Sequence, residues 1–260
     1  MLPRLTLALY RKLGTVTILS SMNQYRMPKF VLSCLSFVCL ALLALLLVGC
    51  APPSQAARPL VYVALGASDT VGVGAANPAQ DGWVPQLHRR LPPGTRLVNL
   101  GVSGFKLSEA LSQELPVALD TRPDLVTVWL AVNDFNARVN LDQYERDLDR
   151  LLTALVEQRP QRILMGNVPA LERVPVYSST GLAPDRIEGE VARWNEVIAR
   201  QAQKHGVILV DLHSQWTELE AHPDYISADG FHPSAAGYKA IADLYYQALQ
   251  GSGGLVEARK

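Results

Sequence analysis

Four short stretches, far apart in the chain, hold residue types that together could run hydrolysis by an activated serine. They are Gly66-Ala67-Ser68-Asp69-Thr70, Asn99-Leu100-Gly101-Val102-Ser103-Gly104, Ala131-Val132-Asn133-Asp134 and Asp229-Gly230-Phe231-His232-Pro233. A serine hydroxyl is a poor nucleophile until a base takes its proton. His232 is the candidate base, and Asp229 can accept its second ring N–H and so fix the tautomer. The Asp-x-x-His spacing delivers both groups from one turn, which Gly230 permits and Pro233 stiffens. Attack on an ester creates an oxyanion. The backbone N–H groups of Ser68 and Gly104 and the side-chain amide of Asn133 are its candidate donors.

Each of these residues also has an ordinary use. Ser68 can cap a helix, Gly104 can serve a turn, Asn133-Asp134 can cap the next turn, and His232 can sit on the surface. It is the set, in this order and after strand-like runs, that points to catalysis. Asp134 reads as structural, and Asp69 as ordering the turn or helix start rather than as the triad acid. His88 and His205 fall in helix patterns. His213 and His222 approach the last motif, either lining its rim or bonded locally. Without cysteine partners or close ligand spacing, neither a metal nor a cofactor is expected.

These groups need a scaffold. Apolar runs at Leu60–Leu65, Arg96–Leu100, Leu125–Val132, Arg162–Val168 and Val207–Leu212 alternate with helical periods. One helical stripe is Leu141, Tyr144, Leu148, Leu151, Leu152 and Leu155, with Asn140 as its cap and Pro160 as its stop. Ile187, Val191, Trp194 and Ile198 form a second stripe. Tyr238, Ile241, Ala242, Tyr245 and Leu249 form a third. Alternation of this kind predicts a doubly wound, mostly parallel α/β sheet of five strands. Sites in such sheets gather at the carboxyl ends of strands, where Ser68, Gly104 and Asn133 would converge.

The four stretches resemble those of the SGNH hydrolases, or GDSL-type esterases and lipases, over Leu60 to Leu249. The family's usual Gly-Asp-Ser-Leu reads Gly66-Ala67-Ser68-Asp69 here, and its glycine before Asn-Asp is replaced by Ala131-Val132. Thr70 at the fifth position departs from the Gly-x-Ser-x-Gly of the α/β-hydrolases. The resemblance implies a three-layer, flavodoxin-like α/β/α fold and a serine esterase working through an acyl-enzyme. Its substrates range over short acyl esters, lysophospholipids, acyl thioesters and acetylated sugars. The first two motifs look most like lysophospholipase or thioesterase members. A carbohydrate acetylesterase and a non-catalytic binding lipoprotein are the alternatives. The loop Pro169–Pro184, with Leu171, Val174, Val176 and Tyr177, reads either as an acyl-binding wall or as plain packing.

The front of the chain describes a secretory signal. Its first 49 residues carry Arg4, Arg11, Lys12, Arg26 and Lys29 and no acid, and Phe30 to Val48 is apolar and uncharged. Leu47-Val48-Gly49-Cys50 resembles the lipobox of bacterial lipoproteins, whose cysteine is lipidated at the new N-terminus; a retained membrane span is the alternative. The expected layout is a signal over 1–49, lipidated Cys50 and linker over 50–59, the domain over 60–250 and a frayed tail over 251–260. With a start at Met22 or Met27, residues 1–21 are an upstream extension. Cys34 and Cys39 lie in the apolar run, so the exported domain would have no disulfide. Removing five cations from 24 leaves 19 against 24 acids, a formal charge of −5. That balance argues against nucleic acid and leaves two partners: an ester substrate, and the membrane through Cys50.

Overall fold

The computed structural model describes residues 58–216 and 221–256; the proposed signal, Cys50 and most of the linker lie outside them. Strand β1 (Val61–Gly66) is buried along all 6 of its residues, as a strand covered on both faces requires. β2 (Arg96–Asn99) is the more open edge strand. β3 (Leu125–Trp129), β4 (Arg162–Gly166) and β5 (Ile208–Val210) complete a 5-stranded sheet in the order β2-β1-β3-β4-β5. Every pairing is parallel, with Gly66 beside Trp129 and Val63 beside Val98. This is the doubly wound order in which the winding reverses between β1 and β3.

Ten α-helices accompany the described strands. Three short ones follow β1: α1 (Ser68–Val71), α2 (Pro78–Asp81) and α3 (Trp83–His88). α4 (Leu107–Asp120) leads to β3, and α5 (Val132–Asn136) and α6 (Leu141–Glu157) lead to β4. α7 (Pro175–Ser178) and α8 (Pro184–His205) precede β5; α9 (Leu212–Trp216) and α10 (Ala235–Gly251) follow it. α4, α6 and α8 pack side by side in one layer, while α3 and α10 pack together in the other. Trp83 stacks on Tyr245 between those last two helices, with ring centroids 4.4 Å apart.

The three expected stripes are helices. Asn140 caps α6 by accepting the Gln143 N–H, and Ser234 caps α10 by accepting the Gly237 N–H. Three apolar runs divide differently from the sequence reading; the one over Val207–Leu212 is strand only over Ile208–Val210, and Leu212 opens α9. The strand expected over Leu125–Val132 stops at Trp129, because Val132 already opens α5. The run to Val168 leaves the sheet after Gly166, where Val168 instead bonds the Asn195 side chain. In the segment read as a tail, the backbone of Val256 makes two hydrogen bonds with the Gln161 side chain.

Candidate active site

Ser68 opens α1 two residues beyond the end of β1 and is 8% exposed. Its Oγ lies 3.0 Å from His232 Nε2, and His232 Nδ1 lies 2.6 Å from Asp229 Oδ2. Asp229 Oδ1 also accepts the Ser227 hydroxyl and the N–H groups of Phe231 and His232, at 2.8–2.9 Å. Burial pushes this carboxyl up, but the His232 ring and the other donors more than offset it and hold it well below the usual range. Asp229 is therefore the ionised acceptor, Nδ1 carries the proton, and Nε2 is left to accept the serine proton.

The segment carrying the base is held from several sides. Ser227 donates its N–H to His232 O, and Ile226 pairs with Pro233 in an isolated antiparallel bridge. The Tyr238 hydroxyl donates to Val73 O, which ties α10 to the turn after α1. Gly74 stands against this segment with φ +98°, and a Cβ there would lie 2.5 Å from Pro233 O and 2.9 Å from the His232 Cβ. Only glycine tolerates both the left-handed backbone and that approach.

The candidate oxyanion donors are positioned by a second set of bonds. Val102 N–H reaches Gly66 O at 3.1 Å, and the Asn99 amide donates to Thr70 O at 2.8 Å, so the loop after β2 is fastened to the serine turn. Gly104 has φ +84° within that loop. The Asn133 amide donates one hydrogen to Phe105 O at 2.9 Å, which leaves its second hydrogen free to donate. The N–H groups of Ser68 and Gly104 have no hydrogen-bond partner among the described residues. These groups can receive a developing negative charge without first breaking another bond.

Two buried carboxyls support this frame. Asp134 accepts the Leu107 N–H at the start of α4, and burial pushes it up to about 6. That matches its expected structural role. Glu114 was not foreseen. It is 2% exposed, its Oε2 accepts the Gly66 N–H at 2.9 Å, and burial pushes it up to about 8. The signal for it was an acid on the stripe Leu107, Ala110, Glu114, Leu115 and Ala118, the buried face of α4.

The remaining histidines lie apart from the serine. His88 bonds Thr95 O, His205 bonds Asp149, and His222 stacks on Tyr225. His213 Nε2 is buried without a partner among the described residues. No group of three or more potential ligands there could hold a metal ion. From the loop after β4, Pro169, Leu171 and Val174 line a cavity of about 30 Å³ with Asp69, Trp129 and Phe231. Val176 is instead exposed, and Tyr177 donates its hydroxyl to Asn136. Of the four apolar side chains named in that loop, only Leu171 and Val174 line this cavity.

Residues 64–240 match the GDSL-like Lipase/Acylhydrolase family. A multidomain esterase of Ruminococcus flavefaciens is 30% identical over 132 residues, which is 50% of this chain and 16% of that protein. An acetylxylan esterase of Geobacillus stearothermophilus is 23% identical over 168 residues, covering 60% of this chain and 73% of that one. Among solved structures, TesA superposes with a TM-score of 0.60 at 21% identity, over 74% of this chain and 99% of its own, which supports the fold. The match across most of the described domain, on a five-stranded parallel sheet, places the chain in the GDSL-like Lipase/Acylhydrolase family of serine ester hydrolases.

Proposed function

We propose that the protein hydrolyses carboxylic esters through an acyl-enzyme, with Ser68 as nucleophile, His232 as base and Asp229 as the acid that orients it. The observation that carries this reading is the continuous relay from Ser68 Oγ through His232 to Asp229, at 3.0 and 2.6 Å. His232 Nε2 takes the Ser68 proton as Oγ attacks the ester carbonyl. The N–H groups of Ser68 and Gly104 and the free Asn133 amide hydrogen receive the oxyanion. The imidazolium then gives its proton to the departing alkoxide, and the alcohol leaves. Water, deprotonated by the same nitrogen, opens the acyl-enzyme and restores Ser68.

For the substrate, acetyl esters of carbohydrate are favoured over lysophospholipids and acyl thioesters. The cavity of about 30 Å³ beside the serine turn suits a small acyl group, and one relative is an acetylxylan esterase. The test is kcat/KM of the full chain in detergent on p-nitrophenyl acyl esters, lysolipid, an acyl thioester and acetylated xylan. Turnover of none of them would remove the esterase reading. Turnover of lysolipid alone would remove the acetyl preference. We also infer export and attachment to the cell envelope through lipidated Cys50, on the pattern Leu47-Val48-Gly49-Cys50 after a basic and then apolar front.

A further inference from the structure

Asp69 follows Ser68 directly on α1, in the place where the GDSL pattern has leucine. It is the acidic group in the lining of the small cavity that Trp129, Val132, Leu171, Val174 and Phe231 otherwise make apolar. A second, smaller hollow under Asn133 and Phe105 is lined by the same aspartate. Phe231 and Pro233 flank His232, so the first cavity borders the relay on both sides: Asp69 next to the serine, and these two next to the base. Its 30 Å³ exceeds the space of about 10–15 Å³ that one water needs, so a small group fits within it.

The backbone N–H of Asp69 lies close to its own carboxyl and favours the charged form. The charged groups facing it are His232 and Asp229, together with the phenols of Tyr177, Tyr238 and Tyr245. Burial raises it to about 6, the His232 charge opposes that rise and Asp229 adds to it. At neutral pH the cavity lining therefore carries a negative charge that has little protein bonding. An alkyl chain laid over such a carboxylate would strip its remaining water and supply no donor, which is costly.

We propose that Asp69 is a specificity-determining residue, whose carboxylate in the cavity lining resists burial under alkyl groups, so that the site takes esters of short acyl groups and rejects long alkyl acyl chains. This rests on the esterase reading above. It assigns to the aspartate a selection that leucine at the same position would not make. The selection weakens as the carboxyl is neutralised, so it is stronger above pH 6 than below it.

The experiment measures kcat/KM for p-nitrophenyl acetate and p-nitrophenyl octanoate with the full-length wild type, Asp69→Leu and Asp69→Asn, at about pH 5 and about pH 8. The octanoate-to-acetate ratio is read, because protonation of the common base and partial misfolding cancel from it. Asp69→Leu should raise the ratio by about tenfold or more, and Asp69→Asn by less, since one buried methylene already discriminates by roughly that factor. The wild-type ratio should be higher at the lower pH, and that dependence should vanish in Asp69→Asn. Wild-type ratios in Asp69→Asn at both pH values would overturn the proposal even if Asp69→Leu failed to fold. A wild type that hydrolyses neither ester and is not labelled by a fluorophosphonate would instead overturn the esterase reading, and this inference with it.

Discussion

Glu114 Oε2 accepts the N–H of Gly66 at 2.9 Å, so a carboxyl from α4 secures the last residue of β1, two positions before Ser68. The same Gly66 offers its carbonyl to Val102 in the loop of Gly104. One strand end therefore sets both the serine turn and a candidate oxyanion donor. The Glu114 carboxyl stays neutral in the fold up to about pH 8, whereas its ordinary value is 4.5. A raised acid binds its proton more tightly folded than unfolded. Its contribution is complete below about pH 4.5 and is lost as the pH rises toward 8. Wild-type stability should thus fall between about pH 5 and 8, by an amount on the order of 3 kcal/mol. Glu114→Gln keeps an acceptor for Gly66 and should flatten that slope. Chemical denaturation across the range checks this; equal slopes in the two proteins would remove Glu114 from the pH dependence.

Ser68→Ala deletes one hydroxyl from a position 8% exposed and adds no bulk. Turnover should drop by roughly ten-thousandfold or more while thermal unfolding barely moves. Mass spectrometry should find a fluorophosphonate adduct on wild-type Ser68 and none on the variant. An adduct at another serine would reassign the nucleophile.

Asp229→Asn separates orientation from folding. The amide oxygen can still accept the N–H groups of Phe231 and His232, so the turn should survive. The amide nitrogen would face His232 Nδ1 and favour the wrong tautomer, lowering kcat on the order of ten-thousandfold, as in the best-studied triad. Asp134→Asn, whose partner is the Leu107 N–H, should act on stability more than on kcat. Assays of both variants on one activated ester, with melting curves, distinguish the two roles. Near-wild-type turnover in Asp229→Asn would sink the relay.

Gly74→Ala places a methyl 2.5 Å from Pro233 O at a backbone φ of +98°. The segment carrying His232 must shift to admit it. A loss of about 1–3 kcal/mol in stability is expected from the strained backbone. The larger loss should be in kcat, about tenfold or more, since small displacements of a base are costly. Unchanged kcat would show that the contact does not position the histidine.

Cys50→Ser tests the proposed attachment. Metabolic labelling with a fatty acid should tag the wild type and not the variant, and the variant should keep its uncleaved front. Several acyl chains are needed for stable anchoring, because one chain binds only marginally. Persistent label in the variant would place the lipid elsewhere or exclude it.

Ser68, Asp229 and His232 were legible because each lies in a local pattern: a serine after an apolar run, and an acid three residues before a histidine. The five strands were legible from their apolar runs, but the end of β3 was not. Leu130, Ala131 and Val132 are as apolar as a strand requires, yet Val132 is drawn into α5 with Asn133. α4 escaped notice because Pro116 and Glu114 interrupt its pattern, although both sit within the helix. The bond from Asn133 to Phe105 spans 28 residues and leaves no mark on spacing. Asp69 was visible as a departure from the GDSL pattern, but its place in the cavity lining depends on Phe231 and Val174, which folding brings from far along the chain.

Arg58 enters the domain clasped by buried Asp124, with two bonds of 2.7 and 2.8 Å, and Asp124 also accepts the Val61 N–H. This clasp lies where β1 begins, whereas Ser68 lies just beyond where β1 ends. A strand of 6 residues separates them by about 20 Å. A pull applied to the chain at Arg58 therefore enters the sheet at the rim opposite Ser68. Such a load would fall first on the Arg58–Asp124 pair, with the whole of β1 between it and the serine.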